Sequence, residues 1–127
     1  MLFRSARRAV DYASNYATER VAFGRPIAAF QGVSFLMAEA LTRIAAVRLD
    51  LLDAAAQIDC GTVAEDAVTW AVNYATAAAT QATRDAVQVL GGHGFITDHP
   101  VELWYRAAAA LAALDFDPAC SSFDPAL

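Results

Sequence analysis

Between Ser5 and Arg20 the residues Ala6, Ala9, Val10, Ala13, Tyr16 and Ala17 recur at helical spacing, with Arg8, Asp11, Asn15 and Glu19 on the other faces. That period predicts a helix with a narrow stripe of small side chains, not a strand, whose apolar positions would alternate. Arg4, Arg7 and Arg8 fall in its first turns, where the macrodipole disfavours cations, so this helix reads as cut from a longer one, with Ser5 as a makeshift N-cap. The pattern breaks at Val21-Ala22-Phe23-Gly24-Arg25-Pro26. Gly24 tolerates positive φ and Pro26 pushes its predecessor out of the helical region, so a tight turn is expected.

A second helix is expected from about Ala28 to Asp59, because Phe30, Val33, Met37, Leu41, Ile44, Val47, Leu51 and Ala55 return every three or four residues. Gly61 supplies a left-handed C-cap, and Thr62-Val63-Ala64-Glu65 has capping-box spacing, so a third helix starts at once and must run antiparallel to the second. That helix carries Ala67, Val68, Ala71, Tyr74, Ala75, Ala78, Ala82, Ala86, Val89 and Leu90, and stops at Gly91-Gly92-His93-Gly94. Asp98 or His99 precedes Pro100 at a first-turn position, and Val101, Leu103, Trp104, Ala108, Leu111 and Leu114 mark a fourth helix. The expected fold is all-α: an antiparallel up-down-up-down four-helix bundle in one domain over residues 1–127, with a mobile tail from about residue 116.

Composition sharpens this picture. Alanine makes up about a quarter of the sequence and lysine is absent, which favours closely packed helices. A net charge of −5 without any long basic run removes the electrostatic term that nucleic-acid or anionic-membrane binding needs, so neither partner is expected. Cys60 and Cys120 lack metal or redox spacing and read as reduced thiols of a cytoplasmic protein. His93 and His99 flank the glycine-rich turn without a carboxylate or thiol at ligand spacing, so no metal is expected. Trp70 and Trp104 sit at apolar helical positions and are expected in the core or a subunit contact.

Two stretches carry a family likeness. Tyr16-Ala17-Thr18-Glu19-Arg20-Val21-Ala22-Phe23-Gly24-Arg25-Pro26-Ile27-Ala28-Ala29-Phe30-Gln31 resembles the acyl-CoA dehydrogenase pattern Y-A-x-x-R-x-x-F-G-x-P-I-x-x-F-Q. Asp85-Ala86-Val87-Gln88-Val89-Leu90-Gly91-Gly92-His93-Gly94-Phe95, with Pro100-Val101-Glu102 and Arg106 beyond it, resembles that family's D-A-V-Q-x-L-G-G-x-G-F-x-x-x-x-P-V-E…R signature. The two follow in family order and spacing, and the likeness extends over about residues 5 to 114.

The resemblance implies an FAD enzyme that works as a dimer or dimer of dimers, with this bundle lending residues to the flavin of a neighbouring subunit. By position, Arg20 resembles the arginine on the FAD diphosphate, where a planar guanidinium fork matches phosphate oxygens. Phe23 would pack beside the cofactor, Gln31 and Gln88 match glutamines that hydrogen-bond it, and Gly91-Gly92 resembles the turn whose backbone approaches its adenosine. Taken singly, each has a plainer structural reading: a dipole-compensating arginine, an apolar plug in a turn, surface glutamines and a helix C-cap.

The family reaction removes the α-proton of an acyl-CoA thioester with a carboxylate while the β-hydrogen leaves as hydride to the flavin. Counting forward from Gln88 at family spacing places Asp115 where many members carry the base in Y-E-G-T; here the local sequence is Leu114-Asp115-Phe116-Asp117-Pro118. Other members carry the base on the helix that opens this domain. The resemblance also implies partners: acyl-CoA, electron-transferring flavoprotein, and a same-family subunit or chain carrying the N-terminal and middle domains, in a homo- or hetero-oligomer. Without those domains, free FAD is expected to bind weakly, since the flavin ring would stay in water. The alternative is a helical assembly module of the same descent that has lost catalysis.

Overall fold

The computed structural model describes residues 2–113. Asp115, Cys120 and the tail from residue 116 lie outside the described residues, as does the expected extension of the fourth helix to Leu114. The described residues are all-α apart from one minimal hairpin, with helices α1 (Leu2–Glu19), α2 (Gln31–Asp59), α3 (Glu65–Leu90) and α4 (Val101–Ala112). Strands β1 (Val21–Ala22) and β2 (Arg25–Pro26) form the hairpin between α1 and α2. Ser5 lies inside α1 and is not its cap, because the helix already begins at Leu2.

The small-residue stripe of α1 is the centre of the core. Ala6, Ala9, Val10, Ala13 and Ala17 are essentially inaccessible to solvent, and Ala79, Ala82 and Ala86 of α3 join them in one cluster. With only a methyl group at each contact, the two backbones approach closely, which is what this alanine content makes possible. On the other flank of α3 packs α2, contributing Met37, Ala40 and Ile44, and α4 closes the core with Val101. Arg43 of α2 faces Asp85 of α3, both a comparable distance along the chain from the link at Gly61, as antiparallel neighbours must be. Thr83 is fully buried and satisfies its hydroxyl by donating to the Ala79 and Thr80 carbonyls of its own helix.

The links differ from expectation at three points. Gly61 does adopt the left-handed conformation, with φ 72°, and its N–H donates to the Ile58 carbonyl while Thr62 N–H donates to Gln57. That pair of bonds is a Schellman motif, so Thr62 belongs to the end of α2. The capping box therefore does not form: α3 starts at Glu65 behind Ala64, with no side-chain cap bond. Secondly, α2 starts at Gln31 and not at Ala28. Ile27 N–H donates to the Arg20 carbonyl, folding the chain back over the end of α1, and a 3-10 turn (Ile27–Ala29) plus an extended Phe30 intervene. Thirdly, Pro100 is itself the residue before α4, again without a side-chain cap bond; His99 is engaged elsewhere.

Candidate functional site

Arg20 and the glycine corner meet at one end of the bundle. The Arg20 backbone is held from both sides, its N–H donating to the Tyr16 carbonyl and its carbonyl accepting from Ile27 N–H, each at 2.8 Å. Its side chain is exposed and makes no hydrogen bond or ion pair with another described residue. Opposite, α3 ends where Gly91 takes φ 59° and ψ −133°, a conformation essentially closed to residues with a β-carbon. Its N–H turns back onto the Gln88 and Val87 carbonyls, and a 3-10 turn (Gly91–Phe95) follows.

Between the two runs an open groove of about 490 Å³, lined by Arg20, Gly91 and Gly92 together with Tyr16, Ile27, Val89, Leu90, His93 and Ile96. Arg20 is the one permanently charged side chain among these lining residues, and no carboxylate is among them. A β-carbon added at Gly91 or Gly92 would meet no protein atom within 4 Å, so those glycines face open space. The glycine required by packing is Gly94, buried against Val87. The arrangement offers a guanidinium and exposed backbone across a shallow apolar floor, which suits an anionic ligand with a flat hydrophobic part.

The other sequence-predicted residues lie outside this lining. Phe23 stands at the hairpin tip, 95% exposed, with φ 54°. A bulky residue rarely adopts positive φ, and such strain persists only where the surroundings impose it. Here Phe23 and Gly24 (φ 79°) are the two central residues of a turn closed by Ala22 opposite Arg25. The Phe23 ring meets Phe30 edge-on at 6.1 Å, and the Arg25 guanidinium lies 4.0 Å from the Phe30 ring centre. Gln31 opens α2 and Gln88 lies in the last turn of α3; both are exposed. Glu102 and Arg106, also in the second motif, pair with each other along α4 at 2.7 Å. Trp70 is not a core residue of this chain: it is 59% exposed and stacks on Tyr74.

One group escaped the sequence reading. Tyr12, Tyr16, His93 and His99 form a cluster beside the groove: Tyr12 Oη lies 2.8 Å from His99 Nδ1, Tyr16 Oη lies 3.4 Å from His93 Nδ1, and the imidazole centres are 5.7 Å apart, edge to face. Trp104 packs edge-on against Tyr12. The i, i+4 spacing of the tyrosines was visible, but nothing local announces which distant histidines they meet. Among the described residues there is no group of three or more potential metal ligands, Cys60 is a free exposed thiol, and no helix is long and apolar enough to cross a membrane.

The family model of the acyl-CoA dehydrogenase C-terminal domain matches residues 1–115. The chain is 43% identical over 103 residues to an acyl-CoA dehydrogenase of Bacillus subtilis, covering 81% of this chain and 27% of that protein. It is 39% identical over 107 residues to a 3-(aryl)acrylate reductase of Clostridium sporogenes, covering 84% of this chain and 28% of that one. The solved structure of butyryl-CoA dehydrogenase from Megasphaera elsdenii superimposes with a TM-score of 0.84 at 31% identity, over 87% of this chain and 29% of its own. This chain therefore belongs to the acyl-CoA dehydrogenase family, as its C-terminal helical domain. It spans less than a third of the length of these relatives.

Proposed function

We propose that residues 1–127 act as the helical domain of an FAD-dependent acyl-CoA dehydrogenase, holding the diphosphate and adenosine of a flavin whose ring is seated by other domains. The observation that carries this reading is that Arg20 and Gly91-Gly92, far apart in sequence, line one open groove. Among the described residues Arg20 has no partner competing for its guanidinium, and the missing β-carbons leave room for a ligand to approach the backbone. The groove's residues thus fit the ADP half of the cofactor. Within this reading Phe23 packs against the flavin nucleotide from the hairpin, and Gln31 and Gln88 hydrogen-bond it from the ends of α2 and α3.

When bound, FAD supplies the hydride acceptor for α,β-dehydrogenation of an acyl-CoA thioester. Asp115 is the carboxylate of this chain proposed to take the α-proton, electron-transferring flavoprotein the proposed oxidant, and a same-family chain with the N-terminal and middle domains the proposed partner. The test is reconstitution. Mixed with that partner and FAD, the chain is expected to co-elute with flavin absorbance that bleaches on adding acyl-CoA; a chain that never carries flavin to the complex contradicts the reading.

A second reading is a non-catalytic assembly module. It is favoured by the apolar side chains that α2 leaves to solvent, Phe35 at 61%, Leu49 at 67% and Leu52 at 57% exposure. Such residues mark a surface that is covered in an assembly. A stable oligomer indifferent to FAD in every combination would favour this module.

A further inference from the structure

The groove holds a titratable group that the family motif does not specify, since the motif leaves the residue at His93 open. His93 lines the groove together with Arg20 and Tyr16. We propose that His93 is a second, pH-gated anion contact of this groove, and that Tyr16 acts with it by reorienting its hydroxyl when the imidazole takes a proton. The inference rests on the groove being a diphosphate site, and it adds a regulation that Arg20 alone does not provide.

The proton arrangement follows from the contact of Tyr16 Oη with His93 Nδ1 at 3.4 Å. With neutral His93 protonated at Nε2, Nδ1 is an acceptor and the phenol O–H points at it. Adding a proton at Nδ1 turns that atom into a donor, so the phenol oxygen accepts and its own O–H is released. The groove then gains a positive charge and a free hydroxyl donor in a single step. An imidazole is the side chain whose charge ordinarily changes between about pH 5 and pH 8.

Among the described residues, the titratable and charged groups facing His93 are Tyr16 from α1, Arg20 just beyond its end, and His99 from the segment leading into α4. No carboxylate is among the described residues that line the groove, so none of them would neutralise a protonated His93. His99 stands 5.7 Å away and is tied to Tyr12. A bound diphosphate favours the protonated form of an imidazole beside it.

The experiment titrates the full chain with ADP-ribose, whose diphosphate is esterified at both ends and keeps its charge throughout, while amide and imidazole NMR signals are followed at pH 6 and pH 8. Binding is expected to be about tenfold tighter at pH 6. H93Q is expected to bind equally at both pH values, no tighter than the wild type at pH 8. Equal affinity of the wild type at both pH values, or an unchanged pH dependence in H93Q, overturns the inference while leaving the groove as a diphosphate site. No perturbation of Arg20 or Gly92 signals at either pH overturns both.

Discussion

Gly94 lies so close to Val87 that a β-carbon on it would stand 2.6 Å from the Val87 carbonyl oxygen and 3.0 Å from its Cα. Both obstacles are backbone in the last turns of α3, where nothing can swing aside. Gly94→Ala is therefore expected to destabilise the fold by about 1–3 kcal/mol. Gly92→Ala meets open space and should unfold within about 0.5 kcal/mol of the wild type, yet weaken ligand binding in the groove. Denaturant unfolding of the two variants checks this; equal stability of both would mean that the turn is looser than described.

Asp85 predicts a second asymmetry. Its side chain is 6% exposed, Gln81 donates to Oδ1 at 2.7 Å, and Oδ2 has no hydrogen-bond partner among the described residues, with Arg43 at 3.7 Å. Removing Arg43 would strand a buried carboxylate, so Arg43→Ala should cost about 1–3 kcal/mol. Arg7→Ala breaks a shorter contact, 2.9 Å to Asp11, but both partners are half exposed and its loss should cost less than about 1 kcal/mol. Adding Asp85→Asn to the Arg43 variant should recover part of the loss. Urea midpoints of the four proteins decide it.

The strain at Phe23 can be relieved. Asparagine and glycine suit positive φ far better than an aromatic residue, so Phe23→Asn is expected to stabilise the chain by about 0.5–1 kcal/mol. If the ring serves the flavin nucleotide, the same substitution should lower FAD retention in the assembled enzyme. Thermal unfolding and flavin release, measured on one variant, separate these effects.

The core leaves no room for larger side chains. Ala13 is fully buried in the α1 stripe, and Ala13→Leu should force α1 away from its neighbours at a cost of about 1–3 kcal/mol or more. Circular dichroism melts would register it as a fall of about 5 °C or more.

Much of this architecture was legible because it is local. The α1 stripe, the glycine stop after Leu90 and the left-handed Gly61 each follow from period or conformational preference within a few residues. The errors arose where one residue had two possible uses. Thr62 had the spacing to cap α3, but the Schellman turn at the end of α2 claimed it first. Ala28 and Ala29 had the composition to open α2, but the bond from Ile27 to Arg20 bent the chain into a 3-10 turn. Within the site, motif spacing marked Arg20 and Gly91 but not the meeting of Tyr16 with His93, a contact that only tertiary packing creates. Nor did it mark Gly94 as the glycine on which packing depends.

The most direct test of the central claim is FAD affinity of the reconstituted assembly with wild-type chain and with Arg20→Gln. Because Arg20 is exposed and unpaired among the described residues, the variant should melt with the wild type. Loss of a charge-assisted contact to the diphosphate should weaken FAD binding by about tenfold or more. Unchanged affinity in a folded variant would contradict the account.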